Sequence, residues 1–240
     1  SALECGVNRR FGCTHDVERA NPRVNPKRRC APHSKALRAR AGVVVLAAGG
    51  SLRLGTPKQL LQFRGVSLLR NAAETAIASG CGPVVVVLGA RADRLRLELD
   101  GLGVAIVENR DWRDGMGSSI RVGVQHLSDL ETDVESILLT LCDQPLVTPD
   151  VLRSLVFRRH ETRAPIVACA YGDTLGVPAL FDAALADELA CIPAERGARD
   201  LIASYGSRVA SVHVPHAEID VDTAGDYARL LDLREPVTGR

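Results

Sequence analysis

No stretch of this chain comes near the roughly 18 consecutive apolar residues of a membrane-spanning helix, and its first residues lack the apolar core of a secretory signal. The expected address is therefore cytoplasmic, with reduced thiols and no membrane partner. Familiar catalytic signatures are missing too. The glycine-rich stretch after the first apolar run is neither G-x-x-x-x-G-K-[ST] nor G-x-G-x-x-G, so it is not a Walker loop or a dinucleotide fingerprint. There is no G-x-S-x-G elbow and no Ser-His-Asp order, which leaves nucleophilic catalysis unsupported. His126, His160, His213 and His216 form no ligand spacing and read as helix-end or surface residues. No internal repeat is present.

Net charge is also low, at +1, but it is unevenly spread. Residues 1–40 hold ten Lys/Arg against three Asp/Glu, a surplus of +7, which leaves the other 200 residues at −6. The first segment has no apolar run and no periodicity, so a flexible basic extension is expected there, followed by one domain over 41–240. Cys5, Cys13, His15, Cys30 and His33 raise a zinc site as an alternative, but their spacings match no compact finger. Nucleic-acid binding through the arginines is another alternative; a solvated tail, or translated sequence ahead of the true start, is the plainer reading, and no nucleic-acid partner is expected. With 46% hydrophobic residues the domain has the material for a sizeable core.

From residue 42 onward the pattern alternates. Apolar runs at 43–48, 83–89, 104–109, 136–143 and 165–172 read as buried strands. Helical stripes cover 67–80, 91–101, 118–127 and 148–160, with further helical stretches near 182–191 and 197–205. Ser67 and Thr148 are expected to cap their helices, and Pro149 fits a first helical position. A strand over 208–215 precedes a last helix starting near Thr223, where Thr223 and Asp226 form a T-x-x-D cap. The βαβα order implies a mostly parallel sheet in a three-layer α/β/α sandwich. Ligands of such sheets bind beyond the strands' carboxyl ends. The segments "AAGG", "EN" with "GMGSS", and "CDQP" all fall there, so they are expected to converge.

The first of these, "AAGGSLRLGTPK", combines Ala47, Ala48, Gly49 and Gly50 with Arg53 and Lys58. Glycines let backbone N–H groups approach a ligand, and two cations beside them suit a polyphosphate. A strand–helix turn with two surface cations is the plain alternative. Asp143 ends a buried strand; Mg²⁺ would neutralise it and bridge to phosphates, whereas a loop-fixing role would leave it structural. Asp220 and Asp222 precede the last helix, with Asp220 the candidate second metal ligand and Asp222 divided between cap and site. Gly115, Gly117, Ser118 and Ser119 open a helix, either presenting donors to a polar ligand or simply capping it. Arg196 and Arg199 flank Gly197, either gripping a second phosphate-bearing substrate or remaining solvated. Cys142 and Cys169 read as small core residues.

"LAAGGSLRLGTPKQLL", "GMGSSIRVGV", "LCDQPLVTPDVL", "GVPALF", "RGAR" and "DVDTAGDYARL" together resemble the NTP-transferase family of molybdenum cofactor cytidylyltransferases, across residues 43–232. The resemblance implies a Rossmann-like nucleotidyltransferase fold and Mg²⁺-dependent transfer of CMP from CTP to molybdopterin, with a client molybdoenzyme as a further partner. It implies that Ala48, Gly49, Arg53 and Lys58 hold the triphosphate, that Asp143 binds Mg²⁺, that Asp220 helps hold metal or acceptor, and that Gly117 and Ser118 lie on the base and ribose side. One departure is Val177 in "GVP", where "GHP" is common; it bears on the acceptor more than on the reaction. Ala48, commonly glycine in the guanylyl-transferring relatives, implies a preference for CTP over GTP. Two other readings stay open: the same transfer to another acceptor, such as a sugar phosphate or methylerythritol phosphate, and a non-catalytic nucleotide-binding module.

Overall fold

The computed structural model describes residues 40–51, 54–130, 133–214 and 220–233. The basic extension, its zinc alternative, Arg53 and His216 lie outside the described residues.

In chain order the strands are β1 (Ala41–Leu46), β2 (Gln62–Phe63), β3 (Val66–Ser67), β4 (Val84–Leu88), β5 (Ala105–Glu108), β6 (Ser136–Leu141), β7 (Ile166–Tyr171), β8 (Thr174–Asp182) and β9 (Val209–His213). The helices are α1 (Leu68–Ser79), α2 (Ala92–Arg96), α3 (Met116–Asp129), α4 (Pro149–Thr162), α5 (Ala186–Ala190), α6 (Ala198–Ser204) and α7 (Ala224–Asp232). Seven strands form one sheet in the order β5-β4-β1-β6-β8-β7-β9, and β2 with β3 forms a separate hairpin.

Period-2 alternation along β1 builds the layers. Val43 and Val45 join Leu69, Ala73, Leu95, Leu152 and Leu155 on one face. Val44 and Leu46 join Ile120, Val124, Leu127, Leu189 and Ile202 on the other. Helices α1, α2 and α4 thus cover one side, and α3, α5 and α6 the other. Because both faces are buried, β1 is apolar throughout. Two glycines let α3 sit close: a Cβ on Gly123 would lie 2.5 Å from Val44 Cγ1, and one on Gly42 would lie 2.4 Å from Leu127 Cδ2.

The expected caps are present. Ser67 accepts from the Arg70 N–H, Thr148 from the Val151 N–H, and Thr223 with Asp226 makes a reciprocal capping box. Gly80 closes α1 in the left-handed region at φ 64°, where glycine carries no Cβ penalty. Cys81, Cys142 and Cys169 are buried and free.

One strand departs from the sequence reading. β8 runs antiparallel to both β6 and β7, whereas "GVPALF" stands in no strand assigned from periodicity. Its pattern is hidden by Pro178, which cannot donate to a ladder. The β7–β8 register jumps from Ala168↔Ala179 to Cys169↔Gly176, so Val177 and Pro178 fall at the irregularity.

A third, small cluster of Phe63, Leu68, Val221 and Leu230 ties the hairpin to α7. Val221 is fully buried, and its N–H donates to the Asp143 carbonyl at 3.0 Å. That anchor fixes the acidic stretch 220–222 beside the end of β6.

Candidate active site

The carboxyl ends of β1 and β6 open onto a cavity of about 570 Å³. Its wall includes Ala47, Ala48, Gly49 and Gly50 from the first loop, Lys58 and Gln59, and Asp143 from the end of β6. Trp112, Arg113, Met116 and Ser119 also line it. The convergence expected from the strand-end rule is therefore realised. A second cavity of about 400 Å³ shares Leu46, Met116 and Leu141 with the first. Gln144, Tyr171, Val177, Arg199 and Asp220 are among its lining residues.

Lys58 is the electrostatic centre. Its ammonium bonds Asp143 Oδ2 and lies 2.8 Å from Asp222 Oδ1. Burial works against its charge, but the two carboxylates outweigh that and lift its pKa above the usual lysine value. Asp143 is nine-tenths buried, and its Oδ1 has no hydrogen-bond partner among the described residues. A buried carboxylate oxygen without a donor is costly and suits a hard cation, which takes oxygen ligands. Among the described residues no three His, Cys, Asp or Glu side chains gather closely enough to enclose a metal. A cation here would need ligands from elsewhere, and Mg²⁺ commonly completes its shell with substrate phosphates and water.

Asp222, rather than Asp220, joins Lys58 and Asp143. Asp220 turns to the second cavity, where its Oδ1 accepts from Gln144 Nε2 at 3.0 Å. Packing around Asp220 raises its pKa; the Gln144 bond works the other way, and the Asp143 and Asp222 charges add to the rise. The same Gln144 amide donates to the Val177 carbonyl at 3.2 Å, which also accepts from the Tyr171 hydroxyl at 2.8 Å.

The helix opening also differs from expectation. Ser118 and Gly117 do not line either cavity. The Ser118 hydroxyl accepts from Asn109 Nδ2 at 2.8 Å and faces the Gly115 carbonyl at 2.7 Å, so it is spent in fastening the turn. Gly117 permits close approach to the 193–194 backbone, since its N–H donates to the Ala194 carbonyl at 2.9 Å and a Cβ there would lie 2.1 Å from the Pro193 carbonyl oxygen. Ser119, one residue on, reaches the wall. Arg196 lines neither cavity and forms a surface ion pair with Asp200 at 3.3 Å, while Arg199 lines the second cavity.

Several wall residues went unnoticed in the sequence. The chain's single Trp and single Met, Trp112 and Met116, both line the first cavity. Their rarity and their position around "GMGSS" were the available signal. Arg113 stacks over the Trp112 ring at 4.6 Å.

A family model described as the MobA-like NTP transferase domain matches residues 43–209. The chain belongs to this family. The MobA-like domain is an enzyme fold of the nucleotidyltransferase class, and the match covers the strand ends that build both cavities. A relative from Paenarthrobacter nicotinovorans, named nicotine blue oxidoreductase, is 34% identical over 78% of this chain and 95% of its own length. The crystal structure of Rv0371c from Mycobacterium tuberculosis H37Rv is 35% identical, with a TM-score of 0.68 over 80% of this chain and 98% of that one. Rv0371c has also been solved in complex with manganese, aligning at 33% identity and a TM-score of 0.64 over 80% of this chain and 98% of that one. A nucleotidyl transferase from Methanothermobacter thermautotroptrophicus, 23% identical with a TM-score of 0.69 over 81% and 98% of the two chains, shares the fold.

Proposed function

We propose that this MobA-like transferase moves CMP from CTP to a phosphorylated acceptor, molybdopterin, with release of pyrophosphate. The observation that carries the reading is a first cavity with the Lys58–Asp143 pair in its wall, adjoined through Leu46, Met116 and Leu141 by a second cavity that holds Arg199 and Asp220. CTP occupies the first cavity, its phosphates against the 47–50 loop and Lys58 and its base toward Trp112 and Ser119. The acceptor occupies the second, its phosphate toward Arg199. An acceptor phosphate oxygen attacks the α-phosphorus of CTP in line. That oxygen is already anionic, so no general base is required, and positioning with charge neutralisation does the catalysis.

We assign the divalent cation to Asp143 and Asp222, because the Lys58 ammonium marks where those carboxylates stabilise positive charge. Asp220 is reassigned to the acceptor side. When bound, Mg²⁺ supplies Lewis-acid neutralisation of the phosphate oxygens. Asp143 and Asp222 would hold it, and Lys58 with Arg53 would stabilise the departing pyrophosphate. The manganese complex of Rv0371c supports a divalent ion in this family.

Ala48 supports cytidine. Ala48 lines the first cavity together with Trp112, so its methyl takes space that a glycine there would leave open. A pyrimidine needs less of that space than a purine.

Pyrophosphate release is the test, measured with each of four NTPs, Mg²⁺, and molybdopterin or sugar phosphates. Release with CTP and molybdopterin only is the expected result. Release with a sugar phosphate instead would move the acceptor, and CTP binding without release would leave a nucleotide-binding module. The name of the Paenarthrobacter relative supports a redox reading as the competitor. Substrate-dependent oxidation of a nicotinamide cofactor with no pyrophosphate release would establish that reading instead.

A further inference from the structure

Gln59 is 1% exposed although its side chain is a primary amide. Such a group is buried only when its donors and acceptor are satisfied, and here the partners all belong to one loop. Its Nε2 donates to the Ala47 carbonyl at 3.0 Å and to the Gly49 carbonyl at 2.6 Å. Its Oε1 accepts from the Ser51 hydroxyl at 3.2 Å. The Ser51 Oγ in turn accepts the backbone N–H of Lys58 at 2.9 Å. Ser51 itself sits at φ 53°, a left-handed conformation that a non-glycine residue holds only when its surroundings enforce it.

In a trans peptide the C=O of one residue and the N–H of the next point in opposite directions. By holding the Ala47 and Gly49 carbonyls, Gln59 turns the N–H groups of Ala48 and Gly50 away from itself. Neither N–H has a hydrogen-bond partner among the described residues, and both residues line the first cavity. Two aligned backbone donors on a glycine-rich turn make an anion-binding concavity. Through Ser51 the same amide also fixes the start of the turn that carries Lys58. Loop donors and the lysine are thereby held in one frame before any ligand arrives, which lowers the ordering cost of binding.

We propose that Gln59 is a positioning residue for the triphosphate, acting by aiming the Ala48 and Gly50 N–H groups and by coupling that loop to Lys58. This rests on the reading of the first cavity as the NTP site. It predicts a phosphate-specific defect, because every hydrogen bond of the Gln59 side chain goes to the 47–51 loop that would hold phosphates.

The test compares inorganic tripolyphosphate with cytidine as separate probes, by calorimetry, on wild type, Gln59→Leu and Gln59→Glu. Gln59→Leu keeps the volume and removes the hydrogen bonds; Gln59→Glu keeps the shape and replaces the donor by an acceptor. Both variants should bind tripolyphosphate roughly 10- to 100-fold more weakly, the range expected for hydrogen bonds to a charged group, with cytidine affinity within about twofold. Equal tripolyphosphate affinity in wild type and either folded variant overturns the proposal, and so does a parallel loss of both probes. Amide exchange on wild type gives a check that needs no variant. The Ala48 and Gly50 N–H groups should gain protection on adding tripolyphosphate, and unchanged exchange there overturns the proposal as well. A wild type that binds neither tripolyphosphate nor Mg²⁺-CTP instead removes the NTP-site reading itself.

Discussion

The two cavities lie side by side and are built on different principles. The first is lined by residues 46–50 and 58–59 around the first loop, by residues 112–119 at the opening of α3, and by residues 141–143 at the end of β6. In its first loop, Gln59 bonds the Ala47 and Gly49 carbonyls, and Lys58 bonds Asp143. The second draws on β1, α3, the end of β6, β7, β8, α6 and the stretch ahead of α7, and mixes one cation, Arg199, with the carboxylate of Asp220. A local loop can impose one chemistry, which suits a phosphate chain common to many reactions. A wall assembled from many distant segments can change one side chain at a time, which suits the acceptor side of the proposed reaction.

The sharpest test of that contrast lies in the charged centre of the first cavity. Lys58→Ala and Asp143→Ala are each expected to lower pyrophosphate release by about 10²–10³, the usual cost of a preorganised charged contact. They should differ in stability. Lys58→Ala leaves Asp143 buried without its cation and should lose about 3 kcal/mol, near the low end for breaking a buried pair. Asp143→Ala still leaves Lys58 its exposed partner Asp222 and should lose less. Turnover near wild type in either variant would remove it from the mechanism, and equal melting temperatures would remove the stability argument.

Within the first cavity, Ala48→Gly deletes one methyl. A single methyl in a pocket is worth about 1–3 kcal/mol, or roughly 10- to 200-fold. The ratio of kcat/KM for CTP over GTP should fall by no more than that. Equal use of both nucleotides by wild type would end the cytidylyl assignment, whereas an unchanged preference in the variant would move its cause to the Trp112–Ser119 wall.

The second cavity should respond separately. Arg199→Ala is expected to raise the acceptor KM roughly tenfold, the lower range for a charged hydrogen bond, with the CTP KM unchanged. Arg196→Ala should do nothing measurable, because exposed ion pairs such as Arg196–Asp200 contribute about 0–1 kcal/mol. A larger effect from Arg196 than from Arg199 would reverse the placement of the acceptor.

The smallest expected effect is at the amino end. We propose that residues 1–39 are dispensable for turnover, from their charge and lack of core pattern. A chain starting at Arg40, whose carbonyl accepts the Glu135 N–H at 2.8 Å, should keep its stability within about 0.5 kcal/mol. Stoichiometric zinc in the full chain, or a large fall in melting temperature on truncation, would show the segment to be structural.

What could be read in the sequence follows the reach of each interaction. The strands of the parallel half were legible because a strand buried on both faces must be apolar throughout, as Val43–Leu46 and Val84–Leu88 are. Caps at Ser67, Thr148 and Thr223 were legible because a cap bonds only three residues ahead. Lys58 and Asp143 stood out because charge next to a buried strand end is costly without a use. Strand β8 was hidden because its partners lie on two other strands, and Pro178 breaks its local pattern at a register shift that only the pairing with β7 reveals. Ser118 and Ser119 carry the same chemistry in sequence and both accept from Asn109 Nδ2; only the folded turn decides that Ser119 lines the cavity while Ser118 also bonds the Gly115 carbonyl. Asp220 and Asp222 were separated by the burial of Val221 between them, which turns one carboxylate toward Gln144 and the other toward Lys58. Gln59 was silent because an amide next to a lysine has no signature until folding brings two carbonyls to it. Composition and short-range bonding decided the layers, the caps and the charged centre; long-range packing decided which way each polar group points.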